Sequence, residues 1–225
     1  MKNICVIAAR GGSKRVPNKN IISFHGKPLL AHTIIAAARS GLFGKNIYVS
    51  SDSRRILAVA KKYGARTVKR PRNISGDGAS LEQAAFHFLG SVDEKFDNLC
   101  LLMPSSPLRN DVDLKKSYGI FKKTKAKSLM SVATFHWFYP FWALQEKNGY
   151  LEFFFGRKYL RDSKLLPKNI YCPTGGIRWV KIASFLKEKK FYSKYVVKYI
   201  IPFERAVDID THEDLELARM LYKLK

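Results

Sequence analysis

Cysteine is scarce in this chain. Cys5, Cys100 and Cys172 are odd in number and widely spaced, which excludes a disulfide framework and gives no zinc-ligand spacing. Cys5 and Cys100 fall in apolar runs, where a small buried thiol is the ordinary role, so a reducing, cytoplasmic setting is expected. No apolar run approaches the ~20 residues of a membrane helix. The N-terminus carries a single Lys2 and no cleavable leader pattern, so no membrane partner is expected. The phosphate-loop string GxxxxGKS/T and the dinucleotide string GxGxxG are both missing. No Ser/His/Asp or Cys/His set suggests a covalent nucleophile. Acids are few: 18 Asp and Glu stand against 41 Lys and Arg, a formal charge of +23. Such a balance admits a nucleic-acid-binding protein. The cations are spread along the chain, however, at Lys61, Lys62, Lys115, Lys116 and through 122–127 and 187–190. A solvated lysine-rich surface explains that spread as well, and a positive field would also attract acidic small molecules.

Among what is present, residues 4–20 organise the rest. ICVIA at 4–8 has the length and β-branching of a buried strand. It runs into Ala9, Arg10, Gly11, Gly12, Ser13 and Lys14, then Lys19 and Asn20. Glycines let the backbone approach an anion, and turned N–H groups make a concave donor site. Arg10, Lys14 and Lys19 can neutralise a triphosphate. The bland alternative is a solvated surface turn.

The whole string resembles the opening signature of the acylneuraminate cytidylyltransferases, the CMP-sialic acid synthetase family. That signature reads roughly A-R-x-x-S-K-x-(apolar)-P-x-K-N, and residues 9–20 fit it at every fixed position.

The following segments alternate. Residues 29–41 have helical spacing, 46–50 read as a strand, 54–63 as a helix and 65–69 as a short strand. That order predicts an α/β fold, Rossmann-like, with a mostly parallel sheet and helices on both faces. Ligands of such sheets lie beyond the carboxyl ends of the strands. Asp52 caps the helix after it or touches a ligand, with capping slightly favoured. One domain spanning 1–225 is expected, with 46% hydrophobic residues to build its core.

Arg70 opens a polar loop that ends at Asp77 and Ser80, ahead of a helix at 81–89. It resembles the family segment R-P-x-x-L-(A/S)-x-D-x-A-S. The resemblance makes Arg70 and Ser80 nucleotide-binding, although Ser80 or Asp77 can equally be a helix cap. A strand at 98–103 then meets Pro104, Ser105, Ser106, Pro107, Leu108 and Arg109, close to the family's P-T-S-P-L-R. Arg109 either holds this corner or approaches a carboxylate. Many family members have Gln where this chain has Met103, and Met cannot make those hydrogen bonds. The sugar is therefore expected to differ from N-acetylneuraminic acid or to be gripped differently.

A helix at 113–121 and a strand at 128–134 precede an aromatic stretch at 136–142 and a second at 153–155, with the turn signal Lys147-Asn148-Gly149-Tyr150 between them. So apolar a hairpin either folds over the core or packs on a second subunit. The resemblance implies a dimerisation excursion at about 135–170. His136 reads as structural rather than as a base. Further on, the string at 173–177 resembles the border of the family's sugar pocket, so Thr174 and Gly175 are candidate lining residues. Arg178 reaches an acidic sugar or points to solvent.

Near the end, Asp208 and Asp210 flank Ile209 ahead of a last helix. In an extended segment both carboxylates share a face, about 6–7 Å apart. Like charges so close call for a cation, and magnesium takes one or two carboxylates plus phosphate oxygens. The same residues resemble the family's D-I-D-T metal motif. The alternative is a cap from Asp210 or Thr211. Together the resemblances imply Mg2+-dependent transfer of CMP from CTP to an acidic nine-carbon keto sugar, by a homodimer that needs no nucleic acid. Arg10, Lys14 and Asp208 are the expected catalytic groups, Ala9 through Lys14, Lys19, Asn20, Arg70 and Ser80 the nucleotide set, and Met103, Arg109, Thr174, Gly175 and Arg178 the sugar set. A nearby alternative is a cytidylyltransferase for an eight-carbon keto acid, whose opening string usually differs.

Overall fold

The computed structural model describes residues 1–135, 138–192 and 194–224, without the side chain of Ser163; the reading of His136 lies outside the described residues. The chain begins with β1 (Asn3–Ala8), the small hairpin β2 (Ser23–Phe24) and β3 (Lys27–Pro28), and α1 (Leu29–Arg39). Next come β4 (Ile47–Ser51), α2 (Arg54–Lys62), β5 (Arg66–Lys69), α3 (Leu81–Gly90), β6 (Asn98–Leu102) and α4 (Asp111–Lys123). β7 (Ser128–Ala133) leads to the hairpin β8 (Leu144–Lys147) and β9 (Tyr150–Phe153), then β10 (Cys172–Lys181), α5 (Ile182–Glu188), β11 (Val196–Ile200) and α6 (His212–Lys223).

Seven strands form one sheet in the order β11-β7-β10-β6-β1-β4-β5. All neighbours are parallel except β10, which runs antiparallel to β6 and β7. Strand periodicity explains why β1 is apolar throughout. Cys5 and Ile7 face a core shared with Leu30, Ile34, Ile56 and Leu114. Ile4 and Val6 face the opposite core with Phe88 and Phe185. A strand covered on both faces has no polar side to show. Cys5 and Cys100 are register partners in β1 and β6, both buried and unbridged. Burial pushes the Cys5 thiol up to about 12, which fits an inert core residue.

A third core joins the two ends of the chain. Val16 of the opening loop packs with Phe24, Leu29, Ile209 and Leu215. Ile209 is fully buried, worth roughly 1.5–3 kcal/mol for a side chain of its size. That contact places residues 208–210 beside residues 10–19, although 190 positions separate Lys19 from Ile209.

Among the described residues the hairpin β8–β9 pairs only with itself. Asn148 (φ 52°) and Gly149 (φ 81°) both take the left-handed backbone its tight turn requires. Both strands are exposed almost throughout, so the hairpin does not fold over the core. Tyr150 is 77% and Leu151 69% exposed. Behind them Phe141 stacks on Tyr159 and meets the edge of Phe155. Among the described residues no helix is long and apolar enough to cross a membrane.

Candidate active site

A cleft of about 510 Å³ opens at the carboxyl ends of β1 and β6. Its walls come from the turn after β1, the loop from Arg70 to Ser80, the corner after β6, and the segment before α6. Lys14 and Asp208, 194 positions apart in sequence, line this same cleft, as do Arg10, Lys19, Asn20, Arg70, Ser80, Met103 and Asp210.

The turn after β1 is held from both sides. Ala9 donates its N–H to Ser50 as an extension of the sheet, at 3.0 Å. The Gly11 N–H donates to Asp52 Oδ1 at 2.8 Å. These two amides are thus already engaged, and neither Gly11 nor Gly12 is among the cleft-lining residues. Buried Asn20 donates from Nδ2 to the Arg10 carbonyl at 2.8 Å, so it orients the turn that carries Arg10. Asp52 does not cap α2. Ser53 does, its side chain accepting from the Ile56 N–H at 3.4 Å, while the Asp52 carboxylate is taken up by Gly11.

Each cation of the opening turn meets a carboxylate. Arg10 and Lys14 bridge to the two oxygens of Asp77, at 2.8 and 2.6 Å. Hydrogen bonds from Lys14 and then Arg10 hold the Asp77 carboxyl below its ordinary range. Arg15 and Lys19 bridge to Asp210, at 3.0 and 3.1 Å, and Lys19 Nζ also donates to the Ile209 carbonyl at 2.6 Å. Ser80 caps α3 in a reciprocal pair with Gln83 and still lines the cleft. Helix capping and cleft lining therefore coincide at Ser80, whereas Asp77 serves the cations.

Asp208 has no ion pair among the described residues. Its surface is open to the cleft, but the surrounding protein partly desolvates it and raises it above the ordinary carboxylate range. Asp210 pushes in the same direction, while Ser105, Lys19 and Arg178 pull it back. Gly175 makes this position possible: a Cβ there would collide with Asp208 Oδ2 and sit 3.4 Å from Ser106 Oγ. Gly175 therefore shapes the site by yielding space rather than by lining it.

The oxygen donors of Asp208 and Asp210 fit magnesium. An unpaired, partly desolvated carboxylate beside a second one gains from a divalent cation. Among the described residues no group of three His, Cys, Asp or Glu side chains could hold a metal alone, so phosphate oxygens and water would complete the shell. Residues 208–210 are not a regular strand, and Thr211 rather than Asp210 caps α6.

Besides Gly175, three residues of the expected sugar set stand off the cleft walls. Arg109 is 2% exposed, and its Nη1 donates to the Gly176 carbonyl at 2.8 Å and the Met103 carbonyl at 3.4 Å. It fastens the corner after β6 to β10, which is the first of the two roles open to it. Thr174 is buried at the irregularity in β10, with Oγ1 2.6 Å from Ser131 Oγ. Arg178 turns its Nε to the Tyr192 hydroxyl, at 3.2 Å. Met103 does line the cleft. Sequence reasoning passed over Arg15, Ser75, Asp77 and Ser105 as site residues. Only Asp77 had a signal, as the lone acid in a loop with Arg70 and Arg72.

A family model described as cytidylyltransferase matches residues 4–119. Over its full length the chain is 37% identical to a pseudaminic acid cytidylyltransferase of Campylobacter jejuni, covering 97% of that protein. It is 32% identical, again over the whole chain, to a CMP-N,N'-diacetyllegionaminic acid synthase of Legionella pneumophila, covering 97% of it. An N-acylneuraminate cytidylyltransferase of Escherichia coli is 33% identical over the whole chain, which spans 53% of that longer protein. Among solved structures, a CMP:2-keto-3-deoxy-manno-octonic acid synthetase complexed with CTP superposes with a TM-score of 0.70. It covers 100% of this chain and 99% of its own at 18% identity, a likeness of fold.

Proposed function

This chain belongs to the cytidylyltransferase family, and from that premise we propose that it joins CMP to a nonulosonic acid, a sialic-acid-like sugar, with release of pyrophosphate. The observation that carries the proposal is the single cleft shared by the cations of the opening turn and the carboxylates of Asp208 and Asp210. The anomeric hydroxyl oxygen of the sugar attacks the α-phosphorus of CTP. A new P–O bond forms, the bond to the α,β-bridging oxygen breaks, and the hydroxyl proton leaves to water. Arg10 and Lys14 exchange Asp77 for the triphosphate and neutralise charge on the leaving pyrophosphate. Arg70 and Ser80 line the nucleotide side, and Asn20 keeps Arg10 aimed. Lys19 spans the gap to Asp210 and holds the two ends of the site at fixed separation. Asp208 and Asp210 would hold magnesium, which, when bound, screens phosphate charge and acidifies a nearby hydroxyl. Positioning and electrostatics suffice for this chemistry.

Met103 presents a thioether where a hydrogen-bonding side chain is common, so this wall selects an apolar part of the sugar. Pseudaminic acid heads the test panel, followed by legionaminic and N-acetylneuraminic acids. The exposed apolar face around Tyr150, Leu151 and Phe154 is proposed to pack on a second copy of the chain. The enzyme is placed in the cytoplasm, where its three free cysteines stay reduced.

Pyrophosphate release is measured with CTP, Mg2+ and each sugar. Lys14→Ala and Asp208→Ala are expected to lower turnover by about a thousandfold with an unchanged circular dichroism spectrum. Near-normal turnover in either variant overturns the assignment. Absence of turnover with every sugar, alongside tight, length-dependent binding to nucleic acid, would favour the basic surface as the functional element.

A further inference from the structure

A second cavity, of about 790 Å³, lies at the carboxyl ends of β4 and β5. Ser53, Arg54, Arg55, Lys69, Arg70 and Arg72 line it, with Asp52 as its one acid. Its charge is not balanced as the cleft's is. Arg10, Lys14, Arg15 and Lys19 each bridge to a carboxylate. Among the described residues, none of the five cations of this cavity does. Asp52 Oδ1 accepts from the Gly11 N–H, and this one carboxylate stands against five cations.

The helix that opens onto the cavity also breaks the usual charge pattern. The first turn of a helix favours acids, because its free N–H groups carry partial positive charge. α2 instead begins with Arg54 and Arg55 and has no acid in its first turn. Five cations that share one carboxylate around a helix N-terminus repel one another unless a further anion is among them. An independent observation points the same way. Arg70 is 5% exposed, and its Nε has no hydrogen-bond partner. Leaving a buried donor unmade is costly. Arg70 lines both this cavity and the cleft.

We propose that this cavity is a second phosphoryl-anion site, charged for a diphosphate group, with Arg70 shared between it and the cleft. The source of the anion rests on the cytidylyl-transfer reading. Pyrophosphate leaves the cleft from the cation end, and the cavity beyond Arg70 offers it the next set of partners. Arg54, Arg55 and Arg72 supply forked donors for its oxygens.

The test is a calorimetric titration of the full chain with pyrophosphate, without sugar or magnesium, with and without saturating CTP. Two pyrophosphates per chain are expected, and CTP should suppress one of them. The double variant Arg54→Gln, Arg72→Gln should weaken the CTP-insensitive event by about tenfold or more. Two CTP molecules per chain, one lost in the double variant, would keep the site and assign its diphosphate to a nucleotide. A single pyrophosphate event, or two events unaltered by the double variant, overturns the proposal. Because binding is read without turnover, two events in a protein that activates no sugar would leave the anion site standing and remove only the reaction.

Discussion

Two carboxylates, Asp113 and Asp77, are each approached on both oxygens, and they differ in burial. Asp113 lies at the start of α4, its side chain fully buried. Arg205 holds it bidentately, Nε at 2.9 Å and Nη2 at 3.0 Å, and the Tyr199 hydroxyl donates at 2.7 Å. A reciprocal cap with Asn110 completes the shell. Burial alone would raise this carboxyl, but hydrogen bonds from Arg205, Asn110 and Tyr199 outweigh it and hold it below its ordinary range. Asp77 meets Arg10 and Lys14 with its side chain 54% exposed. The first arrangement joins α4 to β11 and to the segment that runs on to Asp208. The second can open without exposing anything that was dry. The same charge chemistry is structural where water is excluded and exchangeable where it is not.

The largest effect should follow from removing the buried member. Asp113→Ala leaves Arg205 without its main partner and strips Tyr199 of its acceptor. A loss of about 3–5 kcal/mol is expected from urea unfolding. A loss below about 1 kcal/mol would put Asp113 in the class of surface ion pairs, and burial would no longer separate the two carboxylates.

Asp208 belongs to neither kind. It is open to the cleft yet partly desolvated and without an ion pair among the described residues, and its neighbour Gly175 leaves no room for a side chain. Gly175→Ala should displace the Asp208 carboxylate and cut pyrophosphate release by about a hundredfold, with secondary structure intact. Turnover within a few-fold of the parent would mean that the carboxylate can move without cost to its work.

The strands and helices were legible because strand period, helix period and caps all pointed to one fold. The two-sided apolar run of β1 and the helix opening at Leu29 are examples. The candidate site was legible at its ends, in the cations of the opening turn and in Asp208 and Asp210, which the fold brings into one cleft. What joins those ends was not. Val16 and Ile209 look like ordinary apolar residues until the third core brings them together. The role of Gly175 depends on how close a distant carboxylate comes, and no local pattern encodes that distance. Arg178 shows the converse: β10 is irregular between Pro173 and Arg178, so simple alternation could not say which way it faces.

Removing the exposed member of the pair should act on binding rather than folding. Asp77→Asn frees Arg10 and Lys14 for the triphosphate, and CTP is expected to bind about threefold more tightly with a Tm within about 2 °C of the parent. Weaker CTP binding would mean that Asp77 orders the two cations for the nucleotide instead of competing with it.

The smallest effect is the one that separates the two carboxylates by titration. Both are held below their ordinary values, so both contribute stability that is present above the unfolded pKa of about 3.9. That contribution is lost as the pH falls through the folded value, because the unfolded chain then binds more protons than the native one. Urea midpoints measured from about pH 5 down to 3 should therefore fall less steeply in Asp113→Asn than in the parent. Salt distinguishes the pair further. At about 0.5 M the interactions of exposed Asp77 are screened, whereas those of buried Asp113 persist. The difference in slope between the parent and Asp113→Asn should survive the added salt, and the difference between the parent and Asp77→Asn should vanish. If salt erased both, water would reach Asp113 as freely as Asp77, and the bidentate Arg205 contact would be no more permanent than the bridge to Lys14.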